Sequence, residues 1–248
     1  MVVIPAIDIR GGQVVRLTQG DFSQESRYGL DPVATAQGFA DAGATRLHLV
    51  DLDGARAGTP QNAFVIEAVL EAVGGKMQVE IGGGVRSFED IGHYLAKGAS
   101  WVVLGTRAIE DPHFLEQAAR LFAGNILLAL DVRHGRLAAS GWEQESRLEP
   151  LPFARAAQGH DIAGFIYTDI SKDGTLSGVD ARSIAEFAGA LKKPLLASGG
   201  VHTLDDIESL ANTGSIAGVI VGKALYSGTL NLREALTLCQ QKESRAWP

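Results

Sequence analysis

The chain has 248 residues, 46% of them apolar, and its 22 basic and 29 acidic side chains leave a net charge of −7. That balance excludes a broad basic field for nucleic acid or for an acidic membrane surface, so any anionic ligand must be held by local groups. A single cysteine, Cys239, excludes an internal disulfide, and no apolar run approaches the roughly 18 residues of a spanning helix. With no secretory leader pattern at the N-terminus either, the expectation is a cytoplasmic protein.

In chain order the pattern alternates strand and helix. Met1–Arg10 is an apolar run that reaches Asp8 and is followed by Gly11-Gly12. Apolar, β-branched runs of this kind read as strands buried on both faces. Gly11–Leu30 reads as a long polar connection, and long loops in compact domains tend to be functional. Asp31-Pro32 marks a helix start, with Asp as cap and Pro in the first turn. Arg46–Val50 is a second strand ending at Asp51, and Thr59-Pro60 predicts another helix start by the same chemistry. Gln78–Ile81 is a third strand running into Gly82-Gly83-Gly84, after which Ser87-x-x-Asp90 predicts a capped helix. Trp101–Leu104 ends at Gly105-Thr106, and Asp111-Pro112 opens the next helix.

The second half repeats the first. Ile126–Leu130 ends at Asp131, Gly164–Tyr167 at Thr168-Asp169, Pro194–Ala197 at Ser198-Gly199-Gly200, and Gly218–Val221 at Gly222-Lys223. From Asp8 to Asp131, Asp51 to Asp169, Gly84 to Gly200 and Gly105 to Gly222 the separations are 123, 118, 116 and 117 residues. Such near-constant offsets suggest an internal duplication, with halves of about 1–123 and 124–248. Eight buried strands alternating with helices fit a parallel sheet. A doubly wound open sheet competes with a closed barrel. Four strands per repeat and no weak edge strand favour the barrel, so the prediction is an α/β fold, one (β/α)8 TIM barrel built from two homologous half-barrels.

Active sites of such barrels lie at the C-terminal ends of the strands, where every motif above falls. Asp8 and Asp131 would then face each other across the mouth, suited to removing a proton on one side and delivering one on the other. Singly, each is as well explained as a helix cap or a solvated strand end. The mirrored pair is harder to explain that way. Gly83-Gly84 with Gly105, and Gly199-Gly200 with Gly222, form two candidate phosphate cradles, since backbone N–H groups at glycine turns and helix starts bind anions. Two cradles imply a ligand with a phosphate at each end. Thr168-Asp169 and Lys172-Asp173-Gly174-Thr175 place polar groups over the mouth. Arg16 and Arg86 either reach a phosphate or are solvated charges. Trp142, in Ser140-Gly141-Trp142-Glu143, either stacks on a planar ring or pins its loop. The six histidines show no metal-ligand spacing, and no dinucleotide or Walker motif is present, so neither metal nor cofactor is expected. Cys239 reads as a small packing residue in the last helix.

Five stretches carry a resemblance: Ile4-Pro5-Ala6-Ile7-Asp8; Val15-Arg16-Leu17-x-Gln19-Gly20-Asp21; His48 to Ala55; Gly82 to Arg86; and Thr168-Asp169-Ile170-x-x-Asp173-Gly174-Thr175. Together they resemble the phosphoribosylformimino-5-aminoimidazole carboxamide ribotide isomerases of histidine biosynthesis, nearly end to end. The resemblance implies a half-barrel duplication and a bisphosphate substrate, with a cofactor-free Amadori rearrangement of aldose to ketose. It implies Asp8 as general base and Asp131 as general acid. Substrate and phosphate contacts are implied for Arg16, Gly20, His48, Gly83, Gly84, Arg86, Gly105, Thr106, Trp142, Thr168, Asp173, Gly174, Ser198, Gly199, Gly200, Gly222 and Lys223. The enzyme is expected to be a monomer without an obligatory protein partner, its first and fifth loops closing over the substrate.

Three alternatives stand beside this reading. The cyclase subunit of imidazole glycerol phosphate synthase shares the repeat and both aspartates but commonly has Cys at the place of Ala6 and Lys at that of Arg10. It also lacks the Gln19-Gly20-Asp21 run. A bifunctional isomerase that also accepts phosphoribosylanthranilate has a Gly-Gly-Trp-Glu fifth loop, which Ser140–Glu143 matches in part. A non-catalytic phosphosugar-binding barrel would need neither aspartate.

Overall fold

Each apolar run forms a strand with two buried faces, because alternate side chains meet different neighbours. In a computed structural model describing residues 1–240, the barrel strands are β1 (Val2–Arg10), β2 (Arg46–Asp51), β3 (Gln78–Gly82), β4 (Trp101–Leu104), β5 (Ile126–Arg133), β6 (Gly164–Asp169), β7 (Leu195–Ser198) and β8 (Gly218–Val221). They pair in parallel, each with the next. β8 pairs with β1, so the ring is closed and no edge is left unpaired. This is the predicted (β/α)8 barrel.

Inward positions form one core. Ile4, Ala6, Trp101, Leu127, Ile166, Leu196 and Ile220 fill the barrel interior. The outward positions, among them Val3, Ile7, Leu49, Ile81, Leu104, Leu128 and Val219, join the helices in a larger core that includes Ile66, Ile91, Leu115, Ile207 and Cys239. Full burial of one such aliphatic side chain contributes about 1.5–3 kcal/mol. Cys239 is buried in the helix Leu232–Gln240, as a packing residue should be. No helix among the described residues is long and apolar enough to cross a membrane.

Local chemistry explains most boundaries. The helix Phe88–Ala96 begins with a full capping box, in which the Asp90 N–H donates to Ser87 Oγ and the Ser87 N–H to the Asp90 carboxylate. Its counterpart Leu204–Asn212 has the same box from Thr203 and Asp206. Asp31 and Asp111 cap their helices with Pro next in line, as expected.

Three expectations change. Gly11–Leu30 is not an irregular loop: Gln13–Thr18 and Asp21–Arg27 form an antiparallel hairpin that prolongs β1. The turn Gly11-Gly12, which folds Gln13–Thr18 back antiparallel onto β1, has φ of 55° and 74°, and the matching turn His134-Gly135 after β5 has 50° and 76°. Positive φ at both central residues is what a two-residue hairpin turn needs to match strand twist. The glycines that mark the repeat are therefore hairpin turns. For the same reason β1 and β5 run past Asp8 and Asp131, which lie within strands and not at their ends. Thr59-Pro60 does not start a helix. The helix begins at Ala63 without a side-chain cap bond, because Asn62 spends its amide on Asp51 and Asp53. A short helix, Leu52–Ala57, precedes it and is capped by Asp51.

Ser87→Ala and Thr203→Ala should each lower the stability measured by urea unfolding by about 1 kcal/mol, the usual loss of a cap.

Candidate active site

Asp51, fully buried at the end of β2, anchors the first glycine turn. Its carboxylate accepts the backbone N–H of Gly54 (2.8 Å), Gln61 (2.7 Å) and Asn62 (2.8 Å), and the Asn62 amide at 2.7 Å. With every lone pair engaged, the segment after β2 is held against Gly83 so closely that a Cβ there would strike the Asp51 backbone. Gly83 and Gly84 both have positive φ, 96° and 76°. On the other half Gly199 and Gly200, at 91° and 86°, are crowded in the same way by the Asp169 and Gly178 backbones. The two turns correspond in conformation as well as in position.

Asp8, Arg16, Gly20, His48, Gly83, Gly84, Arg86, Gly105, Thr106, Asp131, Trp142, Thr168, Asp173 and Ser198 all line one cavity at the C-terminal end of the barrel. Asp8 on β1 and Asp131 on β5 stand on opposite strands of the ring. Gly174, Gly199, Gly200, Gly222 and Lys223 do not line it. The second cradle lies behind side chains: the Arg16 guanidinium fills the space over Gly222 where a Cβ would be, and Lys172 and Gly178 crowd Gly200. Lys223 Nζ donates to the Gly174 carbonyl (2.5 Å) and to Thr18 Oγ1 (3.2 Å), tying the sixth loop to the first.

Arg16 is ion-paired with Asp8. Burial alone would lower its basicity, but Asp8 and Asp173 outweigh that and raise it, so the guanidinium keeps its charge. Arg86 lies against Gly58 at the cavity wall. The Thr106 hydroxyl oxygen accepts the Ser140 N–H at 2.8 Å.

The fifth loop is strained where it matters. Ser140, Gly141 and Trp142 have φ of 54°, 63° and 70°, a left-handed run that costs non-glycine residues energy and persists only when contacts hold it. Those contacts are the Thr106 bond, an Arg133 bond to the Trp142 carbonyl (3.1 Å) and a close fit of the indole against Gly20. Arg133 also donates to the Gln19 carbonyl at 3.2 Å, and Gln19 N–H to the Asp173 carbonyl at 2.9 Å. The first, fifth and sixth loops thus close on one another over the mouth. Trp142 pins this arrangement, one of the two roles the sequence left open for it.

Two mouth carboxyls hold protons more tightly than usual. Burial pushes Asp131 up, against hydrogen bonds from Trp142 and Thr168 and the charge of His48. Burial also pushes Asp173 up, to about 6; Arg16 and Lys223 oppose this, while the negative charges of Asp8 and Asp131 add to it. Glu80 and Arg46, which no motif flagged, lie directly beneath His48. Their signal was a charged residue at inward positions of otherwise apolar strands.

A closed barrel with buried carboxyls and an arginine gathered at the C-terminal ends of its strands has the architecture of a (β/α)8 enzyme. The profile of the histidine biosynthesis protein family matches residues 2–231, and the chain belongs to that family. A relative from Syntrophus aciditrophicus is 47% identical over 242 residues, covering 97% of this chain and 99% of the relative. One from Acinetobacter baylyi is 44% identical over 241 residues (97% and 99%), and one from Burkholderia mallei 45% over 237 residues (95% and 94%). Each of the three is named 1-(5-phosphoribosyl)-5-((5-phosphoribosylamino)methylideneamino)imidazole-4-carboxamide isomerase.

Asp173 binds its proton more tightly folded, at about 6, than at the ordinary 3.8. Its contribution to stability is therefore greatest below pH 4 and declines as pH rises through 6. Asp173→Asn should raise the unfolding midpoint at pH 8 and leave it nearly unchanged at pH 4; an equal shift at both would contradict the assignment.

Proposed function

We propose that the protein catalyses the aldose–ketose isomerisation carried in its relatives' names, an Amadori rearrangement on a substrate with a phosphoribosyl group at each end. The observation that supports this best is the single cavity in which Asp8, paired with Arg16, shares the space with the proton-retaining Asp131 and Asp173. The reaction opens the ribosylamine ring by protonating its oxygen, which leaves an iminium at C1. That electron deficiency acidifies C2, Asp8 takes the C2 proton, and the resulting enolamine becomes the ketose on reprotonation. Asp131 was expected as the acid. Because Asp131 and Asp173 repel each other's charge, a proton is kept at the pair, and we assign proton delivery to the pair.

Phosphates at the Gly83-Gly84/Gly105 and Gly199-Gly200/Gly222 turns position the substrate from both ends, using binding energy remote from the reacting carbons. The guanidinium of Arg16 above Gly222 supplies positive charge to the second turn. The closed first, fifth and sixth loops keep water from the iminium. The two matched halves, about 1–123 and 124–248, are read as copies of one four-stranded unit. The chain acts as a monomer in the cytoplasm without cofactor or protein partner.

The assay supplies the chain alone with the formimino bisphosphate and, separately, with phosphoribosylanthranilate. Turnover of the first is expected, and its absence would refute the proposal; turnover of the second would extend it. Asp8→Asn should reduce kcat by about 10²–10⁴-fold with KM little changed, and Asp131→Asn and Asp173→Asn by at least about 10²-fold each. Crystals grown in phosphate should carry an anion at each glycine turn, and an empty first turn would rule out the bisphosphate.

A further inference from the structure

Beneath the mouth the barrel interior holds an ionic cluster that the isomerisation just described does not use. Arg46 of β2 and Glu80 of β3 form an ion pair with side chains 2% and 0% exposed. Around them the interior is built from Ile4, Trp101, Leu127, Leu196 and Ile220. The Arg46 guanidinium lies over the Trp101 ring, 4.1 Å from its centroid. Burying an ion pair is on balance no more stabilising than packing two apolar side chains of similar volume. Packing alone therefore does not account for this pair.

The two Glu80 oxygens are divided between different partners. Oε2 takes Arg46, and Oε1 takes Nδ1 of His48 at 2.8 Å. Although burial pushes the Glu80 carboxyl up, the His48 bond and the Arg46 charge outweigh it, so the group stays ionised. His48 stands in register between Ala6 of β1 and Glu80, and its ring forms part of the cavity wall. With Nδ1 committed downward, Nε2 is the ring nitrogen left for the cavity. The charged groups around this ring are Glu80 and Arg46 below, and Asp8, Arg16, Arg86, Arg107, Asp131 and Asp173 in the wall of the same cavity. A carboxylate accepting from Nδ1–H fixes both the tautomer and the orientation of the ring.

We propose that Glu80 is a positioning residue of the active site: clamped by Arg46, it accepts the His48 Nδ1–H and so holds the ring with Nε2 presented to the cavity. That nitrogen is placed to meet a hydroxyl of the bound sugar or the Asp131 carboxyl, which lies within the electrostatic reach of His48. What that nitrogen serves rests on the isomerase reading; the clamp itself does not.

The test uses the whole chain carrying Arg46→Met and Glu80→Gln together. This pair removes both charges at once, leaves a carbonyl oxygen for Nδ1 and strands no buried guanidinium. Nitrogen NMR of the imidazoles, with His48→Gln identifying the His48 signal, reads protonation directly and needs no turnover. The expected result is a fall of at least about tenfold in His48 proton affinity, one pH unit. The kcat/KM–pH profile should move with it, and the double substitution should move the profile no further once His48→Gln is present. His48 titrating at the wild-type pH in the folded double variant would overturn the proposal, as would a profile that still moves without His48. A wild-type chain that fails to isomerise the bisphosphate defeats the isomerase reading alone, and the NMR titration still decides the clamp. If the double variant does not fold, Glu80→Asp keeps the charge but shortens its reach. His48 should again lose proton affinity there, and an unchanged titration would count against the clamp.

Discussion

A carboxylate withdrawn from water must be met by donors, by a cation or by a proton, and the acidic side chains of this barrel are sorted by which of these they receive. Asp51 is met by three backbone N–H groups and an amide, and becomes a rigid support for the first glycine turn. Glu80 is met by a guanidinium and an imidazole. Asp8 is met by Arg16 alone. Asp131 and Asp173 are the two whose burial outweighs the donors and cations around them, and they hold protons more tightly than a carboxyl in water. One small space thus holds carboxyls in different environments, which is what the acid–base chemistry proposed above requires.

The same economy governs the loops. Hairpins prolong β1 and β5 beyond the barrel and carry Arg16 and Trp142 over its mouth. The left-handed run at Ser140–Trp142 is a local cost, and it is offset by contacts reaching the first loop through Gly20 and Arg133. Because no loop is held by its own residues alone, loosening one loosens the others. Lys223 extends the coupling by bridging the sixth loop and Thr18.

The paired glycine turns show how a repeated backbone can serve unequal ends. Both turns are left-handed, and both are crowded by the strand before them. The first opens onto the cavity, while the second lies behind Arg16. The difference comes from side chains contributed by the first loop, which has no equivalent arginine in the other half's contact with Gly105.

The continuous apolar runs, the Asp-Pro and Ser-x-x-Asp helix starts, and the near-constant spacing of Asp8/Asp131 and Gly84/Gly200 were sufficient to deduce a closed barrel and its eight strands. These are local or periodic properties, and each residue states its preference without knowing its neighbours in space. The hairpin in Gly11–Leu30 was missed because glycines and polar residues surround its short apolar stretch, and Gln13–Thr18 becomes a strand by pairing with β1 and with Asp21–Arg27. Thr59-Pro60 misled because Asn62 was claimed by Asp51, a contact between side chains made only after folding. Whether Arg16 met a phosphate, a solvent molecule or Asp8, which carboxyl kept its proton, and that Glu80 stood beneath His48 were all decided by tertiary structure. Charge interactions depend on distance and on the water excluded between groups, and neither quantity is written in the order of residues along a chain.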